Sequence, residues 1–331
     1  MAISLLAAML ASQALANDST AELATGGLVL VESPNIEMRS EDLFISTSEV
    51  RVRYEFFNAS ANDVSTLVAF PMPDITIKEP DDNVSVPTED PENLLGFTTW
   101  ADGHPVTASV EQKVFARGVE RTDVLRALKI PLAPHLQTTR DALDRLPKAE
   151  WSKLVDLGLA EVDEYDIGQG MKKHLEPRWT LKTTYYWKQT FAARRMTTIE
   201  HRYKPSVGRS VETSLGSPGS AREDWFRTYK QHYCLDQDFL ASVERARATA
   251  NRKAGAPLSE SRIAYILKTG ANWSGPIKEF RLVVDKGAAA NLVSFCGEGV
   301  SKVAPTRFEM RKTDFTPKSD LYVLILERLS N

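Results

Sequence analysis

The amino-acid sequence predicts a mainly-β (α+β) protein of two β-sandwich-like domains, the first with a helical insertion and the second preceded by a helical pair. Three observations predict it. Apolar residues recur at every second position in stretch after stretch, the period of a strand with one buried face. Clusters of Gly, Pro, Asn, Asp and Ser punctuate those stretches. Helical periods come grouped rather than alternating with strands, which argues for sandwiches and against a parallel nucleotide-binding sheet.

The first element is a leader. Ile3 to Leu15 is apolar apart from Ser4, Ser12 and Gln13, and is shorter than the roughly 20 apolar residues of a spanning helix. It ends in Ala14-Leu15-Ala16, the small-x-small pattern of a signal-peptidase site, so residues 1–16 read as a signal peptide cut after Ala16. The start carries no Lys or Arg, and the alternative is a buried N-terminal helix. No later stretch approaches spanning length, so no transmembrane segment is expected in the mature chain. The expected compartment is a bacterial periplasm.

Residues 17–215 are expected to form the first domain. Val50, Val52, Tyr54 and Phe56 share one strand face, with Arg51, Arg53 and Glu55 on the other. Asn58 to Asp63 is a turn cluster, and Val64, Thr66, Val68 and Phe70 start a strand that Pro71 and Pro73 end; the two strands are expected to pair as a hairpin. An acidic, proline-broken loop runs from Asp74 to Asn93. Asp102-Gly103 is a hairpin-type turn between Phe97–Trp100 and Val106–Val114. From about 118 to 175 the period changes to helical, with short helices near Asp123, at Thr139 or Asp141, and after Pro147, where Gly158 supplies a C-terminal cap.

Strand alternation then returns. Trp179, Leu181, Thr183, Tyr185, Trp187, Gln189 and Phe191 share one face, and a second strand spans Thr197 to Tyr203. On this reading Gln189 points inward and needs a buried partner. Gly- and Ser-rich Pro205–Ser220 marks the boundary, and residues 216–331 form the second domain. Helices are expected at about 221–233 and 237–252. Strands follow at Arg262–Lys268, Ile277–Asp285, Asn291–Phe295, Arg307–Lys312 and Leu321–Glu327.

Composition narrows the function. The 331 residues are 42% hydrophobic and 26% charged with a net charge of −3, a globular balance that argues against a nucleic-acid partner. Cys234 and Cys296 are an even pair in an oxidising space, which predicts one disulfide; the alternative is a reactive thiol at Cys296. The sequence has no Gly-rich phosphate loop, Gly-x-Ser-x-Gly or His-Glu-x-x-His, and its five histidines are scattered singly. No catalytic residue, metal site or cofactor is therefore predicted.

Three features are weighed for binding. Asp81, Asp82 and Asn83 in the acidic loop offer oxygen ligands, but match no calcium-loop spacing and read as solvated. The segment Thr269–Pro276 reads as a turn pinning Trp273 over the core. The strands from Arg178 to Arg209 form a basic, aromatic surface. Arg178, Lys182, Tyr186, Lys188, Arg202 and Lys204 are the candidate ligand-binding residues, since aromatics stack while Lys and Arg pair with anions. The competing reading is a solvated outer face over an aromatic core.

Several segments also resemble a known family. Asn17-Asp18-Ser19-Thr20-Ala21-Glu22-Leu23-Ala24-Thr25-Gly26-Gly27-Leu28 and Ser40-Glu41-Asp42-Leu43 resemble the opening of domain-of-unknown-function family 4424. So do Val68-Ala69-Phe70-Pro71-Met72-Pro73-Asp74, His201-Arg202-Tyr203-Lys204-Pro205 and Thr313-Asp314-Phe315-Thr316-Pro317. Ala192 stands after Trp187-x-Gln189-x-Phe191 where the family usually has proline. The resemblance implies an exported protein of Gram-negative bacteria and supplies no activity. A local likeness, from Tyr54 to Val106, is to the β-sandwich module that precedes von Willebrand type A domains in inter-α-trypsin inhibitors, an interaction platform. Together these readings predict an exported, non-catalytic envelope protein that presents a sandwich surface to an envelope protein, an anionic glycan or a lipid head group. The alternatives are an envelope hydrolase acting on cell-wall or glycan substrates, and a secretion or assembly accessory.

Overall fold

The structure, a computed structural model, describes residues 19–24, 27–77, 83–166, 168, 170–252 and 258–328. The predicted leader and its cleavage point lie outside the described residues, as do Asp81, Asp82 and the side chain of Asn83 in the acidic loop.

The chain opens with β1 (Ser19–Ala24), β2 (Gly27–Val31), β3 (Ile36–Ile45), β4 (Val50–Asn58), β5 (Val64–Pro71), β6 (Ile75–Thr76) and β7 (Asn83–Ser85). Then come β8 (Thr98–Ala101), β9 (His104–Val106), β10 (Ser109–Ala116) and β11 (Val119–Glu120). Helices α1 (Thr122–Ala127), α2 (Gln137–Asp144) and α3 (Lys148–Asp156) precede β12 (Ala160–Asp166) and β13 (Met171–Pro177). After β14 (Thr180–Phe191), β15 (Met196–Tyr203) and β16 (Val207–Ser210) lie α4 (Asp224–Tyr233) and α5 (Gln237–Arg252). The chain closes with β17 (Leu258–Tyr265), β18 (Ile277–Asp285), β19 (Leu292–Phe295), β20 (Ser301–Lys302), β21 (Arg307–Phe315) and β22 (Leu321–Arg328).

These strands build a mainly-β fold of stacked sheets. One sheet has the order β11-β10-β14-β5-β1-β2, with β6 beside β14; a second, of eight strands, runs β20-β21-β18-β3-β4-β15-β8-β9; a third runs β19-β22-β17-β16-β7. The period-two rows predicted from the sequence face one another across the first two. Val50, Val52, Tyr54 and Phe56 of β4 and Ile199 and Tyr203 of β15 are buried against Leu181, Tyr185, Trp187 and Phe191 of β14. Phe56 meets Phe191 at 5.8 Å between ring centroids, and Trp187 meets His201 at 5.3 Å. The third sheet joins the same core, where the Tyr54 and Tyr265 hydroxyls lie 3.0 Å apart. Each fully buried large apolar side chain contributes about 1.5–3 kcal/mol.

Pairing differs from expectation at one turn, and a second turn crosses the core in the same way. β4 and β5 do not form a hairpin: β4 pairs with β3 and β15, whereas β5 pairs with β14 and β1 in the facing sheet. The Asn58–Asp63 turn crosses the sandwich instead. Its anchor is buried Asn58, whose Nδ2 donates to the carbonyls of Asn62 and Phe191, both at 2.9 Å. β14 and β15 part in the same way, through the turn at Ala192–Arg195, where Arg194 is left-handed (φ 56°) and the Arg195 N–H donates to the Ala192 carbonyl at 3.2 Å. The reason is common to both. Two strands that each bury a full apolar row can satisfy it by facing each other across a core, and periodicity cannot distinguish this from lateral pairing.

The span 118–175 holds three short helices, but its second half is the antiparallel β12–β13 hairpin. Gly158 ends the helical part at φ 73°. Strands from the stretches 17–215 and 216–331 share sheets: β18 pairs in parallel with β3, and β16 pairs with β17. One apolar cluster extends from Ile36 to Ile325. A second, smaller cluster lies under α4 and α5, around Tyr233, Leu235, Val243, Leu324 and Leu326. Cys234, at the end of α4, is disulfide-bonded to Cys296, just past β19. Trp273 is buried in the turn before β18, 4.4 Å from the Phe56 ring. Gln189 keeps the parity of Trp187 and Phe191 but is only half-buried, and its Nε2 donates to the Thr190 carbonyl.

Candidate functional site

The outer face of the eight-stranded sheet gathers five guanidinium groups around one hollow. Alternation turns Arg51 and Arg53 of β4 away from the core, and register brings partners from four other strands beside them. Arg53 lies opposite Glu200 of β15 and Asp42 of β3, and Asp42 lies beside Arg281 of β18. In the next row Arg51 lies opposite Arg202 and Phe44, and Phe44 beside Val283.

These rows line a concavity of about 430 Å³ with Arg51, Arg53, Arg202, Arg281 and Arg307 against the carboxylates Asp42 and Glu200. Most of the cations are held. Arg281 Nη1 donates to both oxygens of Asp42 at 3.0 Å, and its Nε donates to Glu309 at 2.9 Å. Arg53 pairs with Glu200, Arg307 with Asp285 at 2.9 Å, and Arg51 with Glu49 at 3.1 Å. Hydrogen bonding from Arg311, opposed by partial burial and reinforced by Arg281, holds the Glu309 carboxyl below its ordinary range. The Phe44 ring has Arg51 at 4.6 Å and Arg307 at 5.9 Å. Arg202 differs: it lies 5.6 Å from the Trp100 ring and, among the described residues, has no carboxylate partner. His201 reaches the concavity from beneath but is fully buried, its ring packed near Phe70 at 4.8 Å and Phe97 at 5.0 Å.

The structure does not bring the six sequence-predicted site residues together. Arg178, Lys182, Tyr186 and Lys188 sit on or just before β14 and Arg202 and Lys204 on or just after β15, so the sandwich core separates the two groups. Arg178 donates to Glu161 at 2.9 Å. Lys182 pairs with Asp74 at 3.5 Å and lies 5.3 Å from the Phe115 ring. Burial raises the pKa of Asp74, against the pull of Lys182. Tyr186 is half-buried, and Lys188 and Lys204 are exposed. Only Arg202 enters the arginine-lined concavity.

Sequence reading placed Arg51 and Arg53 outward, but did not find their partners Asp42, Phe44, Arg281 and Arg307. The last two lie more than 200 residues further along the chain, and the parallel β3–β18 pairing that delivers them leaves no local signal. The disulfide leaves Cys296 without a free thiol, so it offers no nucleophile in the oxidised protein. Among the described residues no group of three or more His, Cys, Asp or Glu is placed to hold a metal ion, and no helix is long and apolar enough to cross a membrane.

Fold and site together define a stacked-sheet β protein with a charged, concave outer face. The chain belongs to the family described as "Domain of unknown function (DUF4424)", which matches residues 16–324. No curated protein matches it. Among solved structures it is similar to a Legionella pneumophila protein described as a "putative nutrient binding protein", at 16% identity and TM-score 0.45, covering 94% of this chain and 70% of that one.

Proposed function

We propose that this is an exported, non-catalytic envelope protein that binds an anionic ligand in the arginine-lined concavity of the eight-stranded sheet. One observation carries the reading. Of the five arginines that line the hollow, four are held by carboxylates, and Arg202, beside the Trp100 ring, has no counter-ion among the described residues. A guanidinium held over an indole presents its donors to solvent in a planar fork that matches carboxylate or phosphate oxygens. The Phe44 and Trp100 rings add stacking surfaces for an acidic sugar or head group. The basic face of β14, with Lys188 exposed, is the weaker location, because Arg178 and Lys182 already have carboxylates.

The test is calorimetric titration of the mature protein with inorganic phosphate, citrate and galacturonate at low and high salt. Saturable, salt-sensitive binding that Arg202→Ala weakens by about tenfold or more, the worth of one charge-assisted hydrogen bond, is expected. Absence of binding at 10 mM of each probe, roughly the weakest affinity worth assigning to a site, or binding indifferent to Arg202, overturns the assignment. Export is tested separately: periplasmic protein should begin at Asn17, and an intact Met1 in a cytosolic fraction refutes it.

A further inference from the structure

A second cleft, of opposite polarity, lies where the two main sheets meet beside the β8–β9 hairpin. It has a volume of about 350 Å³ and is walled by Trp100, Pro105, Val106, Ala108 and Val110, with Phe97 and Tyr185 in its floor. The floor is rigid: the Phe97 and Tyr185 rings stack at 4.4 Å, and the Tyr185 hydroxyl donates to Asn93 Oδ1 at 2.9 Å. Among the described residues, the only charged side chains on the lining are Asp90 and Glu92. Both are exposed, and among the described residues neither has a cationic partner.

An acidic pair alone would be a solvated loop. Thr99 supplies the independent observation. It also lines the cleft, is 4% exposed, and its Oγ1 has no hydrogen-bond partner among the described residues. A buried hydroxyl without a partner costs about 1–3 kcal/mol, and a ligand donor or acceptor entering the cleft removes that cost. The loop that carries the acids is preorganised. Asp90 Oδ1 accepts from the Glu92 and Asn93 backbone N–H groups at 2.9 and 3.2 Å. Asn93 Oδ1 in turn accepts from the Phe97 N–H at 2.7 Å. Burial first, then the Asp90 carboxylate, raises the Tyr185 phenol above its usual range, so the floor stays neutral.

The geometry points to a binding site for a small organic cation, a primary alkylammonium on an apolar stem, with the ammonium between Asp90 and Glu92 and the stem against Val106, Ala108 and Val110. The volume falls in the range of small-ligand clefts, aromatic faces favour a desolvated cation, and two uncompensated carboxylates reject anions. The two hollows meet at β8: Trp100 lines this cleft and also lies 5.6 Å from Arg202 of the arginine-lined concavity.

The test titrates the full mature protein with 1,5-diaminopentane and n-pentylamine, with 1-pentanol and pentanoate as uncharged and anionic counterparts of the same stem. Saturable binding of the two amines, weakened by salt, is expected, with no saturation by the alcohol or the acid. The double variant Asp90→Asn, Glu92→Gln keeps the Oδ1 acceptor that holds the turn and should weaken amine binding at least tenfold at an unchanged unfolding midpoint. Equal binding of pentanol, unaltered amine binding in the double variant, or no amine binding up to 10 mM each overturns the proposal. The double variant's unfolding midpoint separates loss of the site from loss of the fold, and phosphate binding through Arg202 is scored in a separate titration.

Discussion

Removing the disulfide tests how far the C-terminal helices depend on a covalent tie. Cys234 ends α4 in a left-handed conformation (φ 51°), and its bond to Cys296 closes a loop with a sequence separation of 62. In the chain-entropy model a loop of that length removes about 14 cal/mol/K from the unfolded ensemble, or about 4 kcal/mol at 25 °C. Little native packing is lost with the sulfurs, since Cys234 is exposed and Cys296 only half-buried. The double variant Cys234→Ser, Cys296→Ser should therefore fold with its sheets intact. The end of α4 keeps other ties: Ser294 Oγ donates to the Tyr233 carbonyl at 2.8 Å, the Tyr229 hydroxyl donates to Glu260 at 2.6 Å, and the His232 ring stacks on Tyr322 at 4.7 Å.

Urea unfolding followed by tryptophan fluorescence and by far-ultraviolet circular dichroism measures the effect. With a slope of roughly 3 kcal/mol/M, a loss of about 4 kcal/mol moves the midpoint down by about 1.3 M. A midpoint within about 0.3 M of the oxidised protein at the same slope would refute the argument, since it would show an unfolded chain already as restricted as the bridged one. A lower slope together with early cleavage by trypsin at Arg227 or Lys230 on α4 would instead show the helical pair opening on its own, before the sheets.

Burial, then nearby Arg140, lowers the His135 pKa from 6.5 to about 4, and neither ring nitrogen has a partner among the described residues. The unfolded chain thus binds the extra proton first as the solution is acidified, so this contribution to stability is complete above about pH 6.5 and falls as the pH drops toward 4. His135 is part-exposed, so screening limits the effect to roughly 1–2 kcal/mol; His135→Phe should flatten the melting temperature across that window, and an unchanged pH profile refutes the assignment. Trp273→Ala should cost about 3–5 kcal/mol by opening a cavity against Phe56 and Phe191; a loss under 1 kcal/mol in urea unfolding would show that the turn can close over the gap. Asn58→Ala strips the Phe191 and Asn62 carbonyls of their donor and leaves the Ser60 N–H without its acceptor. A loss of about 2–3 kcal/mol is expected, and a neutral substitution would mean that water fills the site.

Local elements were legible because their signals are local. Ile277–Asp285 and the α5 limits 237–252 coincide with observed elements, since each has a clear period and turn residues at its ends. The Asp102-Gly103 turn also stands as read, with both residues at positive φ between β8 and β9. Pairing was not legible. The row Val50, Val52, Tyr54 and Phe56 needs an apolar surface opposite it, and nothing in that row says whether the next strand lies beside it or across the core. The hairpin β12–β13 was missed for a different reason. Exposed Glu161, Glu164, Lys172 and Lys173 fall on both of its faces, and so few buried residues leave no apolar alternation to read.

The same ambiguity decided what could be known of the site. From the sequence, Lys182, Tyr186 and Lys188 on one strand and Arg202 and Lys204 on the next look like a continuous basic surface. They are continuous only if β14 and β15 are lateral neighbours. The Ala192–Arg195 turn carries the chain from one sheet to the other, helped by the Ala193 N–H donating to Asp63 Oδ1 at 2.8 Å. The facing turn that begins at Asn58 is tied to the carbonyl at the end of β14. These two crossings, side by side, assign Arg202 to the sheet that also receives Arg281 and Arg307 from the far end of the chain. A charged face of this kind is thus a property of sheet order rather than of any one strand. Its arginines line a single concavity only because β18 enters beside β3 in parallel, and a variant that shifted that register by one residue would turn Arg281 into the core and break up that lining while leaving every local period unchanged.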